Sequence, residues 1–147
     1  MAKLARVLLV EDHAMVCAGI VAMLRRLPGV EIVAEAANGH EALRLIEESR
    51  PTLVLTDIVL PSLNGIEVLA RIRKEYPEIR VVMLSMHVDE EHVRHALQLG
   101  ASGFLSKDSS PAELALAIEA VESGDFYLSP KIISVITQGY IRECRSY

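Results

Sequence analysis

The chain has 147 residues, enough for one domain with a short extension, and 51% of them are hydrophobic, enough for a sizeable core. A balance of 15 basic against 20 acidic residues leaves a net charge of -5, which argues against this chain alone wrapping a nucleic-acid backbone or an anionic membrane. The two cysteines, Cys17 and Cys144, follow no metal or redox spacing, and the N-terminal apolar run stops after Val10, too short for a signal-peptide core or a membrane span, so a reduced cytoplasmic protein is expected.

Short β-branched runs alternate with segments of helical periodicity as far as about Ser123, the mark of βα units around a parallel sheet. The first strand, Ala5–Val10, runs into Glu11-Asp12. Val16, Ile20, Met23, Leu24 and Leu27 then recur at helical spacing and should face the sheet, up to the stop at Pro28-Gly29. A second strand over residues 31–36 precedes Asn38 and Glu41, whose three-residue spacing supplies an oxygen to cap orphan N–H groups at a helix start. The third strand, residues 53–56, gives way to Asp57, and Asn64 with Glu67 opens the next helix. Residues 80–84 form a fourth strand closed by Ser85, and residues 103–105 a fifth followed by Ser106-Lys107. Pro51, Pro77 and Gly100 mark helix ends, while Ser110, Pro111 and Glu113 open the fifth helix. Beyond Ser123 a turn and an extended piece over residues 124–128 lead to Ser129-Pro130 and a last helix through about Tyr140. Its Ile132, Ile133, Ile136 and Tyr140 read as one apolar stripe, suited to packing on the domain, to an oligomer contact or to the start of a linker.

Asp57 is the most informative residue. A carboxylate at the end of a buried strand costs several kcal/mol unless it has partners. If the runs are parallel neighbours, Glu11, Asp12, Ser85 and Lys107 reach the same sheet edge, making a site for a divalent metal and a phosphoryl group. Each has a plainer reading alone: Asp57 as a turn acid, Ser85 as a loop hydroxyl, Lys107 as a solvated charge. Their common position at strand ends favours the joint reading. His13, His40, His92 and His95 read as surface or cap residues, and Arg71, Arg73 and Lys74 as a solvated helix face.

The stretches Val7-Leu8-Leu9-Val10-Glu11-Asp12-His13, Leu55-Thr56-Asp57-Ile58-Val59-Leu60-Pro61 with Asn64-Gly65, Leu84-Ser85 and Lys107 resemble the receiver domain of two-component response regulators, from about Val7 to Leu128. Leu84-Ser85-Met86-His87, the segment from Gly100 to Asp108 and that from Gly124 to Pro130 resemble more narrowly the LuxR-type, NarL/FixJ-like subfamily. The resemblance implies an α/β fold, a doubly wound five-stranded parallel sheet of order 2-1-3-4-5, flavodoxin-like, with an extra C-terminal helix. The expected division is a receiver domain over residues 1–128 and a helix or linker over 129–147. In the subfamily a helix-turn-helix output domain follows, so this chain reads as a receiver fragment or, alternatively, as a stand-alone receiver acting through protein contacts.

By that resemblance Asp57 takes a phosphoryl group from a sensor histidine kinase, and the chain catalyses only its own phosphorylation and dephosphorylation. Clustered carboxylates favour a hard cation, and Mg2+ is expected on Asp12 and Asp57, on Glu11 through water and on the main-chain carbonyl of Val59. Lys107 stabilises phosphoryl charge, and Ser85 is drawn to the new oxygens, leaving room for Phe104 to rotate inward as a switch. Phe104 suits core packing equally. Val59 and His87 flank the site, where the family tunes water access, and imply slow hydrolysis. Homodimerisation on phosphorylation is implied, with DNA reached only through an output domain absent from this chain, and no membrane partner. An aspartate-nucleophile phosphatase would carry an acid at position 59, where this chain has valine, and no Gly-x-Gly-x-x-Gly follows the first strand for a dinucleotide.

Overall fold

The computed structural model describes residues 5–86 and 89–146. Six parallel strands, β1 (Ala5–Val10), β2 (Val30–Ala36), β3 (Leu53–Asp57), β4 (Arg80–Ser85), β5 (Gly103–Ser106) and β6 (Tyr127–Leu128), form one sheet of order 2-1-3-4-5-6. The order expected for the first five holds. The extended piece after the fifth helix adds a sixth, two-residue strand beside β5.

Alternation along the central strands divides the core into two layers. Val7, Leu9, Leu53, Leu55, Val82, Leu84 and Leu105 pack under α1 (Ala14–Arg25) and α5 (Pro111–Glu122). Their neighbours Leu8, Val10, Val54, Val81, Met83 and Phe104 face α2 (Gly39–Ser49), α3 (Gly65–Glu75) and α4 (Glu90–Gln98) on the other side. Strands covered on both faces must be apolar throughout, which is why these runs lack polar interruptions until their carboxyl ends.

The helix starts follow the expected chemistry. Asn38, Asn64 and Ser110 accept hydrogen bonds from the backbone N–H of Glu41, Glu67 and Glu113. Asp89 does the same for His92 at the start of α4. Ile20 and Leu24 of α1 are buried, and Val16, Met23 and Leu27 pack beside them.

The last helix, α6 (Pro130–Arg145), continues past Tyr140 and packs on α4 and β5. Ile132 is fully buried in the layer that holds Phe104, with Ile136 against it, and Arg94–Glu143 and Arg142–Glu90 ion pairs close at 2.8 and 3.1 Å. Gly139 lies so near Glu90 that a Cβ would stand 1.4 Å from its carboxylate. The single apolar stripe is therefore a correction: Ile133 and Tyr140 are exposed. Adjacent residues on a helix point about 100° apart, so Ile132 and Ile133 cannot both face the domain.

Candidate functional site

Strand register assembles the site. Val10 pairs Thr56, Thr56 pairs Met83, and Met83 pairs Phe104, so the carboxyl ends of β1, β3, β4 and β5 finish almost level. Glu11 follows β1, Asp57 and Ser85 are the last residues of β3 and β4, and Lys107 follows β5. The backbone N–H of Lys107 donates to the carbonyl of Ser85 at 2.9 Å, fixing where the lysine side chain begins.

The loop after Asp57 is held by a close approach. Gly65 opens α3 directly over the strand end, its N–H donates to the Ile58 carbonyl at 2.8 Å, and a Cβ there would lie 2.0 Å from the carbonyl oxygen of Asp57. Only glycine leaves room for that crossing. Ile58 and Leu60 anchor the loop in the core, while the Val59 side chain is 74% exposed and its N–H donates to Asp57 Oδ1 at 3.3 Å.

At this edge, Lys107 Nζ donates to Asp57 Oδ2 at 2.7 Å and pairs with Glu11 Oε2 at 2.5 Å. All three side chains are almost wholly buried, so the contacts act at reduced dielectric and resist screening by salt. Burial works against the lysine charge, but the hydrogen bonds to Asp57 and Glu11 outweigh it and hold the ammonium above the ordinary lysine range. Burial likewise opposes charge on Glu11, yet its bonds to Lys107 and His13 keep the carboxyl below the usual range.

Glu11, Asp12, His13 and Asp57 each offer a ligand atom, and these atoms all lie within 4.8 Å of one another. Three carboxylates against one ammonium leave uncompensated negative charge, and the oxygen donors suit a hard divalent ion. From the sequence His13 is expected to be a surface or cap residue. It is exposed and stands at the start of α1, but its side chain makes no capping bond. Instead Nδ1 lies 2.9 Å from Glu11 Oε1 and 3.3 Å from Asp12 Oδ1, contacts that raise the imidazole above its ordinary value. The signal was its place directly after the acidic pair.

Phe104 is fully buried in the core layer that faces α4 and α6. His87 lies outside the described residues. Cys17, beside Glu35 and partly buried, has its thiol pushed up to about 11, the setting of an unreactive cysteine.

The model of the response regulator receiver domain matches residues 7–119. The chain belongs to that family. This receiver is 34% identical to the transcriptional regulatory protein DegU of Brevibacillus brevis, a match covering 93% of the chain and 58% of DegU. It is 35% identical to the nitrate/nitrite response regulator NarL of Escherichia coli K12, covering 90% of the chain and 61% of NarL. A two-component response regulator of the LuxR family from Aurantimonas superposes with a TM-score of 0.90 at 39% identity, over 95% of this chain and 99% of that one. The receiver is thus of the LuxR/NarL kind, and it spans about 60% of the length of these curated relatives. Among the described residues no helix is long and apolar enough to cross a membrane.

Proposed function

We propose that this receiver accepts a phosphoryl group on Asp57 from a phosphohistidine of a sensor histidine kinase, in the cytoplasm, and relays the change to a transcriptional output. The observation that carries this reading is the shared grip of Lys107 on Asp57 and Glu11 in one buried cluster. A carboxylate oxygen of Asp57 forms the new O–P bond while the P–N bond of the phosphohistidine breaks and the imidazole leaves with the electron pair. Lys107 then exchanges its bond to Asp57 Oδ2 for an incoming phosphoryl oxygen and keeps Glu11 as its anchor.

The donor set fits Mg2+, with Asp12 and Asp57 as ligands, Glu11 through water and the main-chain carbonyl of Val59. When bound, the ion neutralises charge on the carboxylate and phosphoryl oxygens. Ser85 is drawn to the new oxygens, and the layer containing Phe104, α4 and α6 repacks in response. The name of DegU, a transcriptional regulatory protein, supports a transcription-factor output; DNA is contacted by a further domain, and phosphorylation drives homodimerisation. Residues 1–128 serve as the receiver domain and 129–147 as the connection towards the output.

The receiver catalyses its own modification and does not turn over a substrate. Incubation with acetyl phosphate and Mg2+ tests this: one added phosphoryl mass on Asp57, absent in Asp57→Asn, is expected. Continuous release of inorganic phosphate without an accumulating phosphoprotein would instead mark a phosphatase.

A further inference from the structure

Across the sheet from Asp57, at the amino ends of β1 and β2, a cavity of about 640 Å3 opens between α5 and the turn over residues 27–30. Its volume is that of a small-molecule pocket. Ala5 lines it at the start of β1, and the Ala5 N–H donates to the Gly29 carbonyl at 2.7 Å, which fixes the turn against the strand. Ala115, Ile118, Glu119 and Glu122 line it from α5, at the spacing that puts side chains on one helix face. Among the described residues, Glu119 and Glu122 are the only charged ones in the lining.

Glu122 is only 9% exposed, and its Oε2 is buried with no hydrogen-bond partner. Thr52 Oγ1 donates to Oε1 at 3.1 Å. Arg6, whose backbone N–H donates to the same hydroxyl, sends its guanidinium to the Ser49 and Arg50 carbonyls and to Glu31 instead. The last turn of α5 carries no basic residue, so the carboxylate adds to the negative end of the helix dipole. A buried, half-paired carboxylate at that end is costly until a cation completes it.

We propose that this cavity binds a small organic cation, a primary ammonium carried on an aliphatic body. The ammonium donates to the Glu122 carboxylate, whose Oε2 is the open acceptor, and the exposed Glu119 adds negative charge beside it. The aliphatic body packs on Leu27, Val30, Ala115 and Ile118. A metal ion does not match this lining, because apolar walls leave it too few oxygen ligands.

Amide NMR of the full chain, titrated with n-hexylammonium chloride and with uncharged 1-hexanol, tests the assignment. The ammonium should give saturable shifts at Gly29, Val30, Ala115 and Ile118, and should bind about tenfold more tightly than the alcohol, since a charge-assisted hydrogen bond is the stronger one. Glu122→Gln keeps an acceptor for Thr52 and removes the charge, so it should lower hexylammonium affinity about tenfold and leave hexanol almost unaffected. Ala115→Leu keeps both acids and fills the cavity, and should weaken both probes. Shifts that fail to saturate by about 20 mM, equal affinity for the two probes, or an unchanged affinity in Glu122→Gln would overturn the proposal. So would parental binding in Ala115→Leu, which would place the cation on the exposed Glu119 outside the cavity.

Discussion

Lys107 Nζ is shared between Asp57 Oδ2 at 2.7 Å and Glu11 Oε2 at 2.5 Å, so a single ammonium ties the end of β5 to those of β3 and β1. Removing one partner from a buried ionic group strands the others. Lys107→Met should lower stability by about 3–5 kcal/mol in metal-free buffer. Urea unfolding measures this, and a loss below about 1 kcal/mol would show that the carboxylates do not depend on the lysine.

Glu11 and Lys107 set a pH window. Glu11 is held below its reference value of 4.5, so its contribution is present above that pH and is lost as pH falls through the lower folded value. Lys107 is held above 10.5, so its contribution is present below that pH and is lost as pH rises through the higher folded value. The stability gap between the parent and Lys107→Met should therefore be widest between about pH 4.5 and 10.5. Unfolding midpoints across pH check this, and a gap that stays constant into acid would contradict it.

Gly65→Ala places a methyl 2.0 Å from the Asp57 carbonyl, against backbone that cannot turn aside. A loss of about 3 kcal/mol is expected, together with slower phosphoryl uptake because the Asp57 loop must shift. Uptake at the parental rate in a folded variant would separate the crossing from the chemistry.

Phe104→Tyr adds a hydroxyl to a ring with no exposed surface, at a cost of about 1–3 kcal/mol if no partner reaches it. Phosphorylation by acetyl phosphate should persist, because the ring is packed in the apolar core and is not among the clustered ionic side chains. Loss of uptake in a folded Phe104→Tyr would place the ring in the chemistry.

Val59 stands 74% exposed beside Asp57, where an apolar side chain offers a water molecule nothing to bind. Val59→Asn should shorten the lifetime of the phosphorylated form while leaving stability within about 0.5 kcal/mol. The decay of the phosphoprotein mass over time reads this out, and equal lifetimes would remove Val59 from the control of hydrolysis.

The five main strands and the converging carboxylates were legible because a strand covered on both faces must be apolar and a polar residue stands out where it ends. Glu11, Asp57, Ser85 and Lys107 all announced themselves in that way. Tyr127 and Leu128 did not, since two residues are too few to carry an alternation and their pairing depends on β5 being within reach. The buried face of α6 is not legible in the sequence because its apolar residues lie on more than one side, and the choice of Ile132 over Ile133 is made by the core layer that holds Phe104. The reach of His13 into the acidic pair depends on how α1 leaves the sheet, which periodicity does not encode.

The anchoring of α6 has a mechanical consequence. Its 16 residues make a rod about 24 Å long, rooted at Ile132 in the layer that contains Phe104 and strapped to α4 by exposed ion pairs that each hold only about 0–1 kcal/mol. A tilt of about 10° at the root would sweep the far end through about 4 Å, so sub-ångström repacking beneath β5 is magnified at the tip. With such an arm, a small displacement at the Asp57 edge is enough to move the far end of α6 by ångströms.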